Sequence, residues 1–158
     1  GAAPAAFYDA AGLGTDWRLL TDFLPLDDHC FAAGLQPAGS TSIAPHDDCG
    51  YTDALHVVEG LVQAAWLAIA HDAGAPGAVV DPTAGLRGWR LAAAGFIRWR
   101  GAGAVGPWQL MLRRSWADAN LLRFDAQARD AEGQVFLTLH HLEFDRLRPE
   151  AGSSAREA

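Results

Sequence analysis

Hydrophobic and polar positions change rhythm along this chain. From Tyr51 to His71, YTDALHVVEGLVQAAWLAIAH, apolar residues fall at three- and four-residue steps: Leu55, Val58, Val62, Ala65, Trp66 and Ile69. Val57, Leu61 and Ala68 fill the flank, so the pattern predicts a helix that is apolar over most of its circumference and therefore buried. At 1.5 Å per residue its apolar part is about 25 Å long, the width of a small domain. Before it, residues 4–12 read as one helical turn or an arm, and Trp17–Phe23 as a compact apolar segment stopped by Pro25. His29–Leu35 and Ser40–Ala44 read as two short strands. After it comes a Gly- and Pro-rich loop from Asp72 to Gly88. Then follow strand-length runs at Trp89–Arg100, Trp108–Trp116, Leu121–Asp130 and Gln134–Leu147, the last two joined by the hairpin signal Asp130-Ala131-Glu132-Gly133.

The order predicted is two short strands, one long buried helix, and three or four long antiparallel strands. One apolar helix and one antiparallel sheet have a simple packing solution: the sheet wraps the helix in an α+β layer. Residues 1–148 form one domain, and the tail 149–158 has the composition of a disordered end. That wrapping leaves a sheet edge open, where a second copy pairs.

Polar positions inside the helix carry the chemistry. His56, Glu59 and Gln63 share one face of an otherwise apolar stretch. A buried ionisable group must be paired, neutralised or used. Upstream, PHDDCG places His46 on a polar turn just before the helix.

Charge and composition narrow the classes. The net charge of −7 argues against a nucleic-acid partner, because phosphate neutralisation needs a basic face. The 12 basic residues are all arginine, which excludes a Schiff-base lysine and a lysine-bearing phosphate loop. No apolar run has transmembrane character and no secretory leader is visible, so no membrane is expected. Cys30 and Cys49 have no metal or redox spacing, and a reduced cytoplasm is the expected compartment. No metal is expected either: His46, Asp47, Asp48 and Cys49 are consecutive and cannot all converge on one ion.

The element order resembles the hot-dog fold, and the residues resemble the beta-hydroxyacyl-carrier-protein dehydratases within it. Val57-Val58-Glu59-Gly60-Leu61-Val62-Gln63-Ala64-Ala65 is similar to that family's apolar-apolar-Glu-Ala-Leu-Ala-Gln-Ala-Ala helix. His46 stands one residue short of the family's spacing from the glutamate. Phe96–Arg100, Val105-Gly106-Pro107 and the Asp130–Gly133 hairpin resemble downstream family features. Two places depart: Asp47-Asp48-Cys49 replaces Phe-Pro-Gly, and Asp53-Ala54 replaces the Pro-Gly before the helix. The helix is also similar to that of hot-dog acyl thioesterases, and Glu59 with Gln63 matches the Asp-x-x-x-Gln of polyketide synthase dehydratase domains.

The resemblance implies an enzyme that dehydrates 3-hydroxyacyl thioesters on an acyl carrier protein, in fatty acid or polyketide biosynthesis. His46 would be the base and Glu59 the acid, with His56, Gln63 and the Ala54 N–H in support. No cofactor is implied beyond the phosphopantetheine that carries the substrate, or acyl-CoA in its place. Arg98, Arg100, Arg113 and Arg114 are the candidate carrier-binding cations. The assembly implied is a homodimer or a hot-dog heterodimer. Two other outcomes remain open: a hot-dog acyl thioesterase, and a non-catalytic partner subunit.

Overall fold

A computed structural model describes residues 4–10, 12–36, 51–72, 89–100 and 106–146 of the 158. A short helix α1 (Ala5–Ala10) and a single 3-10 turn (Thr15–Trp17) lead into strands β1 (Leu20–Pro25) and β2 (Cys30–Leu35). The long helix α2 (Tyr51–Asp72) follows, then β3 (Trp89–Trp99), β4 (Trp108–Ala117), β5 (Leu121–Arg129) and β6 (Val135–Arg146). The six strands form one sheet in the order β1-β2-β4-β5-β6-β3, antiparallel at every pairing. The α+β architecture of one long helix against an antiparallel sheet is therefore as expected.

The four long strands lie where the strand-length runs and the turn residues between them put them. In β5, Leu122, Phe124, Ala126 and Ala128 turn inward and the residues between them are half-buried, the period of two that a pleated strand imposes. The β5–β6 turn closes on Asp130, whose Oδ1 accepts the N–H groups of Glu132 (3.0 Å) and Gln134 (2.8 Å). Gly133 takes a φ of +81° there, a left-handed conformation that glycine adopts without strain.

The first third differs from expectation. Trp17–Phe23 contains the start of a strand, because Leu20–Pro25 pairs with Phe31–Leu35. A register shift between Leu20 and Asp22 breaks the alternation and conceals that strand in the sequence. Ser40–Ala44, the second short strand of the sequence reading, lies outside the described residues, as do the 149–158 tail and the turn that carries His46.

Helix α2 is buried or half-buried along all but its two ends. Val57, Leu61, Ala64, Ala65 and Ala68, spaced by three and four, are fully covered by the sheet. Val58, Val62 and Trp66 are half-buried, and Leu55 is 46% exposed. The helix is therefore enclosed over most of its circumference, as expected, with its first turn at Leu55 left open. By length and apolarity Ala54–Asp72 would also pass for a membrane span, contrary to the sequence reading. Its most buried positions here face the sheet. Trp66 meets Phe144 edge-on at 4.6 Å, and Phe144 meets Phe124 at 6.0 Å.

Strand β3 is the outer edge. Only Trp89 and Trp99 at its ends are half-buried, and Leu91, Phe96 and Ile97 are exposed.

Candidate active site

Three side chains, Tyr8, Gln63 and Glu59, make a connected polar cluster at the middle of α2. Gln63 is 3% exposed and sits at the centre. Its Nε2 donates to Glu59 Oε1 at 3.0 Å and to the Trp17 carbonyl at 2.9 Å. Its Oε1 accepts from the Tyr8 hydroxyl at 2.8 Å and, at 3.4 Å, from the Leu19 N–H. The Tyr8 oxygen in turn accepts the Leu20 N–H at 2.9 Å. Helical geometry supplies the first link, since Glu59 and Gln63 are one turn apart and so meet on the same face. The N-terminal segment supplies the rest, for α1 and the 3-10 turn bring Tyr8, Trp17 and Leu19 down onto α2.

Burial decides the chemistry of this cluster. A buried amide must satisfy both ends, and here each end has two partners. Burial pushes the Tyr8 phenol up to about 12, while the Leu20 N–H opposes that rise and the nearby Glu59 carboxylate adds to it. Tyr8 therefore remains a neutral O–H donor at physiological pH. Glu59 is only half-buried. One carboxylate oxygen is held by Gln63, on a helix whose next face carries half-buried Val58 and Val62 and exposed Leu55.

His56 does not join this cluster through any hydrogen bond. It is 5% exposed and its Nε2 lies 2.7 Å from the Gln36 carbonyl. A carbonyl only accepts, so Nε2 carries the proton. Nδ1 is buried with no hydrogen-bond partner among the described residues, and the ring meets Trp108 edge-on at 6.2 Å. Gln36 also donates its own N–H to the Leu19 carbonyl at 3.0 Å. His56 thus pins the end of β2, where the chain departs toward His46. Ala54 is half-buried near the start of α2.

The expected arginine cluster divides. Arg114 is committed inside the protein, pairing with Asp72 at the end of α2 and donating to the Asp28 carbonyl. Arg98 lies over the exposed Phe96 ring, 5.6 Å from its centre. Arg98, Arg100 and Arg113 make no ion pair among the described residues. Arg113 lies on the sheet's outer face beside a groove of about 320 Å³, with Cys30, Met111, Asp125, Gln127 and His140. That groove is on the side away from α2. Among the described residues no cluster of three metal-ligating side chains is found.

Tyr8 was not singled out in the sequence. It stands 55 residues from Gln63, and nothing local marks it beyond an aromatic pair, Phe7-Tyr8, in a short helical turn.

The chain has the hot-dog fold. It aligns with the dehydratase domain of RzxB from Pseudomonas fluorescens at 20% identity and a TM-score of 0.61, over 89% of this chain and 46% of that one. It aligns with the E. coli PaaI protein of the phenylacetic acid degradation operon at 10% identity and a TM-score of 0.60, over 90% and 93%. The dehydratase heterocomplex ApeI:P from Xenorhabdus doucetiae aligns at 12% identity and a TM-score of 0.56, over 85% and 86%. This chain thus spans about half of the RzxB dehydratase domain and nearly all of PaaI. No protein family and no curated protein matches it.

Proposed function

We propose that this chain is a hot-dog enzyme of acyl thioesters that dehydrates 3-hydroxyacyl chains held on an acyl carrier protein, with Glu59 as its acid. The observation that carries the reading is the setting of Glu59: a half-buried carboxyl on the central helix, with one oxygen fixed by Gln63 and an apolar flank beside it. Dehydration removes the C2 proton, breaks the C3–O bond and forms a C2=C3 double bond, and the departing hydroxyl takes a proton to leave as water. A histidine and a carboxyl on opposite walls of an apolar slot can serve those two proton transfers. In this reading His46 is the base, supplied by a second hot-dog subunit, and the Ala54 N–H polarises the thioester carbonyl. His56 supports the site by holding Gln36.

The second subunit pairs along β3. An uncovered edge strand with exposed Leu91, Phe96 and Ile97 offers unpaired backbone groups and apolar area together. A homodimer or a hot-dog heterodimer serves equally. Arg98, Arg100 and Arg113 are the cations available to an acidic carrier or to the phosphate of its arm.

One observation favours hydrolysis as a second reading. The Gln63 N–H holds one Glu59 oxygen in place, and a carboxylate fixed in that way can activate water toward a thioester. Intact-mass measurement on a carrier-bound 3-hydroxyacyl substrate separates the readings. Loss of water identifies a dehydratase, release of free carrier a thioesterase, and an unchanged mass a non-catalytic partner subunit. With an active protein, Glu59→Gln keeps shape and hydrogen bonding but removes the titratable proton, and should lower turnover on the order of 10²–10⁴. His46→Ala should do the same, and the two losses should not add, because both groups serve one transition state. Wild-type turnover in both variants would sink the assignment.

A further inference from the structure

We infer that Tyr8 is a positioning residue of the Glu59 site, acting through Gln63 to fix which carboxyl oxygen meets the substrate. This inference rests on Glu59 being the working carboxyl. It begins with the hydrogens. The Tyr8 oxygen accepts the Leu20 N–H, so its own proton is free to go to Gln63 Oε1. Leu19 N–H approaches the same oxygen. Two donors therefore face one end of the amide, and two acceptors, the Trp17 carbonyl and Glu59 Oε1, face the other. A flipped amide would set donors against donors and oxygens against oxygens. Only one orientation satisfies the cluster.

The direction of donation runs Leu20 N–H to Tyr8 O–H to Gln63 and then to Glu59. Because Oε1 of Glu59 is held as an acceptor, Oε2 is the oxygen left to carry or take a proton. Tyr8 sets that choice without touching Glu59. Its own proton stays in place because burial disfavours the phenolate. Trp17 and Leu19 position Gln63 through backbone groups that no substitution removes, and Tyr8 is the one side chain among its partners that can be altered without altering the carboxyl.

The test is Tyr8→Phe, which keeps the ring and deletes the hydroxyl. The Gln63 oxygen then keeps only the long Leu19 contact, and the amide is held less firmly against Glu59. We expect kcat to fall roughly 10-fold, the effect of one neutral hydrogen bond, with KM unchanged. A kcat that falls while KM holds is the mark of a carboxyl that has lost its positioning. A purely structural Tyr8 would lower the melting temperature and leave kcat of the folded protein in place, which overturns the inference. Should Tyr8→Phe fail to fold, Gln63→Met decides, since Tyr8 acts only through that amide; an unmoved kcat there overturns it equally. Glu59→Gln is the control that separates the two ideas. Full activity in Glu59→Gln sinks the assignment of the site, whereas loss there with a wild-type Tyr8→Phe sinks only the role of Tyr8.

Discussion

Replacing Gly60 by alanine sets two known effects against each other in the middle of α2. Glycine inside a helix costs about 0.8–1.0 kcal/mol relative to alanine, so propensity alone calls the change stabilising. Packing opposes it. A Cβ at Gly60 would stand 2.6 Å from Leu35 Cδ1 and 3.3 Å from both Leu35 Cδ2 and Leu110 Cδ1. Leu35 is 1% exposed and Leu110 is fully buried, so neither methyl has open space to enter. Forcing an extra carbon into such a core typically costs about 1–3 kcal/mol. The clash should win by about 1 kcal/mol. With a urea m-value of about 2 kcal/mol per molar, that lowers the unfolding midpoint by about 0.5 M at unchanged slope. Leu35→Ala offers the internal control. It costs about 2–5 kcal/mol alone, but in its background Gly60→Ala should turn neutral or stabilising, a coupling of about 1–2 kcal/mol. A midpoint that rises in the single variant, or effects additive within about 0.5 kcal/mol, would refute the close-approach argument. The expected result also accounts for a departure at this position, where the resembling dehydratases carry alanine after the glutamate and this chain carries glycine.

Two further stability outcomes follow from burial, beside the activity predictions for Glu59 and Tyr8. Phe144→Ala should cost about 3–5 kcal/mol by chemical denaturation, because Phe144 is fully buried between Trp66 and Phe124 and the hole cannot collapse without moving both rings. Alkaline titration should expose Tyr8: its folded-state phenol lies above the ordinary value of 10.0, at about 12, so the stability it contributes is intact below pH 10 and lost between about pH 10 and 12. Two units correspond to about 2–3 kcal/mol. Circular dichroism against pH should therefore show Tyr8→Phe losing less stability than wild type in that window, and equal losses would contradict the assignment.

The sequence by itself determined the elements whose signals are local. Helix α2 announces itself through apolar residues at three- and four-residue steps, and β4, β5 and β6 through strand-length runs bounded by turn residues. Those patterns are written in adjacent side chains, and a regular helix or strand must display them. The same reasoning placed Glu59 and Gln63 on one face, since one turn separates them. Tertiary structure decided what depends on distant backbone. Strand β1 became visible only when paired with β2, because the register shift at Leu20/Asp22 interrupts its alternation. Arg113 and Arg114, adjacent in the chain, part company: one faces the outer groove and the other pairs with Asp72. The covered side of α2 was set by where the sheet lies, which an almost all-apolar helix cannot specify by composition. Tyr8 is the clearest instance. Its place beside Gln63 depends on α1 folding back across 55 residues of chain, and no local pattern records which buried amide a distant phenol will satisfy.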